Sequence, residues 1–208
     1  MRTVHIVAVM IVGLLLSLPA NTQNKPIPGG TKNLESTPTA SSSGKPAALP
    51  DGRHDFDFEV GTWKAHVRRL VHRLAGSDEW DDLYGTVVTR SLPMLEGWNE
   101  SEMTVDSPTT HRRIEILAVR LYNPASHQWS IYGSDIKTGV FDPPQVGQFN
   151  NGRGEFYAQD IQEGRAVYIR YVWEKVTDDS TRFEQAFSVD GGRTWEPNWI
   201  YEGSRIKN

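Results

Sequence analysis

The side chains able to do chemistry in this sequence are scattered rather than clustered. There are six histidines and no cysteine. The missing cysteine excludes thiolate metal sites, disulfides and lipid attachment through an N-terminal cysteine. His5 lies in an apolar N-terminal segment. His54, His66, His72, His111 and His127 form no His-x-Glu-x-x-His pattern. His66 and His72 share a strand face but stand ~20 Å apart by strand rise, too far to ligate one ion. A barrel that held haem would need one inward histidine as axial ligand. His127, on the same parity as Trp129 and Ile131, is the position for it, although a histidine at a strand start is more often structural. No Gly-x-Ser-x-Gly elbow offers a serine nucleophile. No glycine-rich phosphate loop is present, since Gly152-x-Gly154 belongs to a hairpin. The reading therefore includes no metal and no cofactor.

What remains is a small polar set among aromatic residues. If the apolar faces of the strands point inward, Glu115, His127, Tyr171, Gln185 and Tyr201 go with them, beside Trp129 and Trp199. Buried polar groups need partners. They can bond one another, or water, or the polar group of a ligand in an otherwise apolar cavity. A filled core in which these groups satisfy each other is the plain alternative.

These residues sit on short extended segments separated by turns. The segments are Trp63 to Leu74, Glu79 to Leu92, Glu96 to Val105, Arg113 to Tyr122, His127 to Gly133, Gln145 to Asn150, Gly154 to Ile161, Arg165 to Val176, Thr181 to Ser188 and Thr194 to Ile206. Asn151-Gly152 is a strong hairpin signal. About ten strands at regular spacing predict an all-β antiparallel up-and-down barrel or a closely related sandwich. Closure removes the exposed edges of an open sheet. His54 to Val60 is the exception, a short helical plug or an extended lead-in carrying Phe56, Phe58 and Val60.

Alternation with period two assigns faces. Phe183, Gln185 and Phe187 share one face, as do Val167, Ile169, Tyr171 and Trp173. Trp195, Trp199, Tyr201 and Arg205 share one in the last strand, and Leu117, Val119 and Leu121 do so earlier. Glu102, Arg120, Arg170 and Glu184 are then expected outside, in cross-strand ion pairs. Both parities of Glu79 to Leu92 carry apolar residues, so its faces stay open.

Ser188, Asp190, Gly192, Thr194 and Trp195 fit the pattern Ser-x-Asp-x-Gly-x-Thr-Trp, which resembles the Asp-box of sialidases. The motif is a hairpin device in which the carboxylate accepts bonds from the turn, glycine allows positive φ and the indole packs beneath. It occurs once and no repeat of propeller period accompanies it, so its expected role is structural.

Gly61-Thr62-Trp63, just before the first strand, resembles the lipocalin signature. In the wider calycin group that tryptophan closes one end of the barrel against an arginine of the last strand, a place that Arg205 occupies here. The domain also resembles a family of uncharacterised bacterial proteins with a calycin-like, lipocalin- or nitrobindin-like barrel. The matching stretches are His-Asp-Phe-Asp-Phe-x-x-Gly-x-Trp at 54–63, Arg-Leu-Tyr-Asn-Pro at 120–124, Asn-Gly-Arg-Gly-Glu-Phe-Tyr at 151–157 and Arg-Phe-Glu-Gln-Ala-Phe-Ser-x-Asp-Gly-Gly-x-Thr-Trp-Glu-x-Asn-Trp at 182–199. The resemblance spans nearly all of 54–208. It implies a calycin-like barrel and brings no function.

Three regions follow: a signal peptide at 1–20, a flexible linker at 21–52 and the barrel domain at 53–208. Ile6 to Leu18 is an unbroken apolar and small run, shorter than the ~20 residues a spanning helix needs. The reading is export to the periplasm or outside the cell, with no membrane span after cleavage. Residues 21–52 are rich in Pro, Ser, Thr and Gly, and every Phe, Trp and Tyr follows them. The chain has 22 Lys and Arg against 26 Asp and Glu, a formal charge of −4, with no basic stripe of the kind nucleic-acid binding wants.

Three functions remain open. The first is a barrel binding a small, largely apolar ligand, oriented by Glu115, His127 and Gln185 and walled by Trp129, Tyr171, Trp199 and Tyr201. The second is an isomerase, cyclase or hydrolase with Glu115 or His127 as acid or base. The third is a non-catalytic surface interaction domain. Where the Trp and Tyr side chains lie discriminates among them.

Overall fold

A computed structural model describes residues 51–92 and 96–207. The signal segment and all of the linker except Asp51 and Gly52 lie outside the described residues. Ten antiparallel strands close into one barrel in sequence order, with the last hydrogen-bonded to the first. They are β1 (Gly61–Leu70), β2 (Trp80–Ser91), β3 (Trp98–Asp106), β4 (Arg113–Asn123), β5 (Gln128–Asp135), β6 (Gln145–Asn150), β7 (Arg153–Gln162), β8 (Arg165–Thr177), β9 (Ser180–Ser188) and β10 (Glu196–Arg205). A single 3-10 turn, Asp57–Glu59, precedes β1.

The turns carry the expected chemistry. Asn151 and Gly152 both take positive φ, as do Glu163 and Gly164, the conformation that joins two-residue hairpins. At the β9–β10 hairpin, Asp190 Oδ1 accepts from the backbone N–H groups of Arg193 and Thr194, while Thr194 Oγ1 donates to Oδ2. Ser188 Oγ accepts from Gly192 N and donates to Asp190. Trp195 lies outside the barrel, its ring 4.7 Å from the Arg170 guanidinium.

That position corrects the face expected for the last strand. A register shift between Pro197 and Trp199 inserts a bulge in β10, so Trp195 and Trp199 point to opposite sides despite equal parity. A second correction concerns β4. Ile114, Tyr122 and Arg120 are buried, whereas Leu117 is exposed. The inward face is thus Ile114, Ile116, Ala118, Arg120 and Tyr122, and the run Leu117, Val119, Leu121 faces out. Both parities of this strand are apolar, and inward Arg120 makes the wrong parity look greasier. Arg170 and Glu184 do pair outside, at 3.6 Å, as do Arg90 and Glu102 at 2.9 Å.

One end of the barrel is sealed by the segment ahead of β1. Phe56 has 0% exposure and sits at the centre of a ring cluster, 4.8 Å from Phe149, 5.0 Å from Trp129 and 5.4 Å from Trp173. Edge-on pairs of this kind contribute about 0.5–1.5 kcal/mol each beyond burial. Arg205 locks the seal. Its guanidinium lies 4.1 Å over the Trp63 ring and donates to Val60 O and Phe58 O at 2.7 Å each and to Asp178 O at 3.1 Å. Trp63 Nε1 donates to Glu59 O at 2.7 Å. Gly61 must be glycine there. Its φ is +130°, and a Cβ would stand 2.6 Å from Arg205 Nη1.

The other end is half covered. Leu74, in the β1–β2 connection, packs on Val167, Ile169 and Phe187 and roofs the β7–β9 side. Its amide donates to Glu196 Oε1 at 2.6 Å. The β1–β5 side stays open.

Candidate functional site

The barrel interior is not full. A cavity of about 320 Å³ lies between the seal and the open end. Its walls are largely apolar: Val87, Met103, Ile114, Ile116, Ile131, Phe183 and Trp199 line it, with Tyr171 and Tyr201. The volume is at the low end of the range for ligand pockets. Gly133 of β5 lines it too, and a Cβ there would meet nothing within 4 Å.

Its floor is a buried polar network. Glu59 is 1% exposed and Arg120 3%. Glu59 Oε1 accepts from Thr181 Oγ1 at 2.6 Å. Arg120 Nη1 donates to Asn99 Oδ1 at 2.9 Å and to Ser101 Oγ at 2.7 Å. The Arg120 guanidinium also lies 4.9 Å from the ring centroids of both Phe56 and Trp173. Burial pushes the Glu59 carboxyl above its ordinary value, against the opposing pull of Arg120, Thr181, Trp173 and Arg205. Burial likewise lowers Arg120, against the pull of Glu59. A charge on either is tolerable only because the other faces it.

The network is incomplete. Three of its members that line the cavity hold a buried polar atom with no partner among the described residues: Arg120 Nε, Trp173 Nε1 and Tyr201 Oη. The Trp173 indole stabilises the Glu59 carboxylate but falls short of hydrogen-bond geometry. Burial, then the Glu59 charge, pushes the Tyr201 phenol far above its ordinary value, so it stays a donor. Leaving such groups unsatisfied costs about 1–3 kcal/mol each. Tyr201 leans toward Gly203, where a Cβ would stand 2.2 Å from its hydroxyl. That glycine gives the phenol its place on the floor.

The rim of the cavity carries Arg69 at the end of β1, Arg73 in the β1–β2 connection and Arg112 just ahead of β4. None of the three has an ion pair among the described residues. Neighbouring Arg113 is paired with Asp106 at 2.9 Å. Burial, then repulsion from Arg73 and Arg112, pushes the Arg69 guanidinium below its ordinary value. Asp135, Lys137 and Asp142 line the mouth as well. Burial and the nearby charges of Asp160 and Asp135 raise the Asp142 carboxyl.

The sequence-predicted residues divide in two. Tyr171, Gln185, Trp199 and Tyr201 line the cavity. Gln185 Nε2 donates to Asn198 Oδ1 at 2.6 Å, which fixes its amide. Trp129 points inward but packs into the seal, donating to Gly52 O at 3.0 Å. Glu115 does not reach the interior, because its neighbours Ile114 and Ile116 do; this is the β4 correction again. His127 stands in the β4–β5 turn with φ +55°, its Nδ1 3.3 Å from Tyr122 Oη. It lines a separate cleft at the sealed end with Asp55, Phe58 and Phe149. A haem held in the interior has no axial ligand in His127. Among the described residues no group of His, Asp and Glu is placed to hold a metal ion.

Sequence reasoning missed Glu59, Arg120 and the arginine rim. Arg69 was findable, since it shares parity with Trp63, Ala65 and Val67.

No family model and no curated protein matches the chain. Among solved structures the barrel is similar to the S-type phycobiliprotein lyase CPES from Guillardia theta, with a TM-score of 0.51 at 12% identity over 74% of this chain and 91% of that one. The fold is a lipocalin-like barrel. At that identity the likeness extends to the architecture, and this lipocalin-like barrel must be read from its own interior.

Proposed function

We propose that the barrel binds a small molecule with an apolar body in its interior, acting after export. The observation that carries this is the floor. Arg120, Trp173 and Tyr201 line the cavity, and each holds a buried polar atom short of a hydrogen-bond partner among the described residues, which a ligand acceptor reaching the floor would supply. A filled core would have closed around them instead. The likeness to a phycobiliprotein lyase, another barrel of this shape, is in keeping with an interior site.

Catalysis is the second reading, and it changes residue. Glu115 and His127 are not at the cavity, whereas Glu59 lines it and burial raises its carboxyl, as a general acid requires. Glu59 is largely engaged by Thr181, so binding is the function the geometry supports best.

The test is a fluorescence titration with N-phenylnaphthylamine, a neutral dye of suitable size. The wild type is expected to bind it at one saturable site. Gly133→Phe, which fills the cavity from open space, is expected to weaken binding at least about tenfold. Equal binding by both proteins would place the dye elsewhere and reject the reading.

A further inference from the structure

The rim of the cavity holds three guanidinium groups with no ion pair among the described residues, of which Arg73 lies 5.8 Å from the Phe187 ring. Arg69 and Arg73 are half-buried and Arg112 is exposed. All three line the same mouth, and none has a carboxylate at salt-bridge distance among the described residues. Elsewhere Arg53, Arg90, Arg113, Arg153 and Arg182 hold carboxylates within 3 Å, and Arg165, Arg193 and Arg205 donate to backbone carbonyls. Asp81 and Glu163 act on Arg69, and Glu163 and Glu196 on Arg73, only from beyond salt-bridge distance, so neither guanidinium is directly paired. Burial and the charges of Arg73 and Arg112 both act against the charged form of Arg69. Such a cluster is the usual environment for a ligand anion, because guanidinium forks match carboxylate, sulfonate and phosphate oxygens.

We propose that the ligand is an amphipathic organic anion, its charged head held at the mouth by Arg69, Arg73 and Arg112 and its apolar body in the cavity, with an acceptor atom at the floor facing Tyr201, Trp173 and Arg120. The inference rests on the cavity reading above and adds the class of ligand and its orientation. Two independent features support it: the unpaired cations at one end of the cavity and the unpartnered buried donors at the other. Asp135 and Asp142 also line the mouth, with Lys137 between them in sequence donating to Arg113 O at 3.1 Å.

The experiment compares two dyes of one skeleton on the full chain. Anilinonaphthalene sulfonate carries an anionic head and N-phenylnaphthylamine does not. The wild type is expected to bind the sulfonate about tenfold more tightly, with a preference that shrinks as salt rises. Arg73→Gln with Arg112→Gln is expected to erase the preference by weakening the sulfonate far more than the neutral dye. Arg112 is exposed, whereas Arg73 lies over the Phe187 ring, so Arg112→Gln alone, expected to shrink the preference without lowering the melting temperature, guards against a folding defect in the pair. Equal binding of the two dyes, or a preference that survives the double substitution, overturns the inference and leaves the cavity reading standing. Failure of both dyes to bind overturns the two together.

Discussion

The two ends of the barrel are built on opposite principles. At the sealed end the groups that close the barrel are used: Arg205 stacks on Trp63 and donates to three carbonyls, and Phe56 is ringed by aromatic side chains. At the open end Arg69, Arg73 and Arg112 line a void with no carboxylate at salt-bridge distance, and Ile136, Val140 and Phe141 of the β5–β6 connection face solvent. Packing and satisfied hydrogen bonds stabilise the first. The second forgoes stability, as binding sites commonly do. Substitutions at the two ends should therefore separate stability from binding.

The largest effect is expected at the seal. Phe56→Ala should cost about 3–5 kcal/mol in denaturant unfolding, because its cavity is walled by rings that cannot collapse. A loss below about 1 kcal/mol would mean that the plug is not part of the cooperative core. Arg205→Ala comes next, at about 2 kcal/mol or more, since it strips Trp63 of its cation and leaves three carbonyls short of a donor.

Tyr201→Phe sharpens the contrast. It removes a buried hydroxyl that has no partner, so unfolding stability should stay within about 0.5 kcal/mol or rise. Affinity for a dye with an acceptor at the floor should nevertheless fall by about tenfold. A clear loss of stability would show that the hydroxyl is satisfied within the protein.

The smallest effect lies in the β9–β10 hairpin. The Thr194 backbone N–H and hydroxyl, then Ser188, hold the Asp190 carboxyl far below the usual carboxylate range. Its folded value is below its unfolded value, so its contribution is fully present above the ordinary carboxylate range and is lost as pH falls through the depressed one. Asp190→Ala should be less stable than wild type at neutral pH and converge with it in strong acid. A gap that does not change with pH would assign the effect to packing.

Much of this architecture is written in the sequence, for identifiable reasons. Turn chemistry at Asn151-Gly152 and Ser188–Trp195, and clean alternation in β8 and β9, place the strands because each depends on near neighbours. The site is harder to read. Tyr171, Gln185, Trp199 and Tyr201 follow from strand parity alone. Glu115 and Arg120 exchange faces because β4 is apolar on both parities, and only the pairing with β3 decides which face is inside. Trp195 escapes the interior through a bulge that no local pattern announces. Glu59 reaches the cavity floor through one turn of 3-10 helix, and its partner Thr181 is 122 residues away. Convergence over that separation belongs to the closed barrel and is invisible to any window of sequence.

The most direct test of the central claim is native mass spectrometry of wild type and Gly133→Phe, purified in parallel from the producing cells and again after incubation with both naphthyl dyes. The cavity account predicts a small-molecule adduct of about a few hundred daltons on the wild type that is absent or much reduced on the variant. Matching spectra from the two proteins, both bare or both equally loaded, would contradict it.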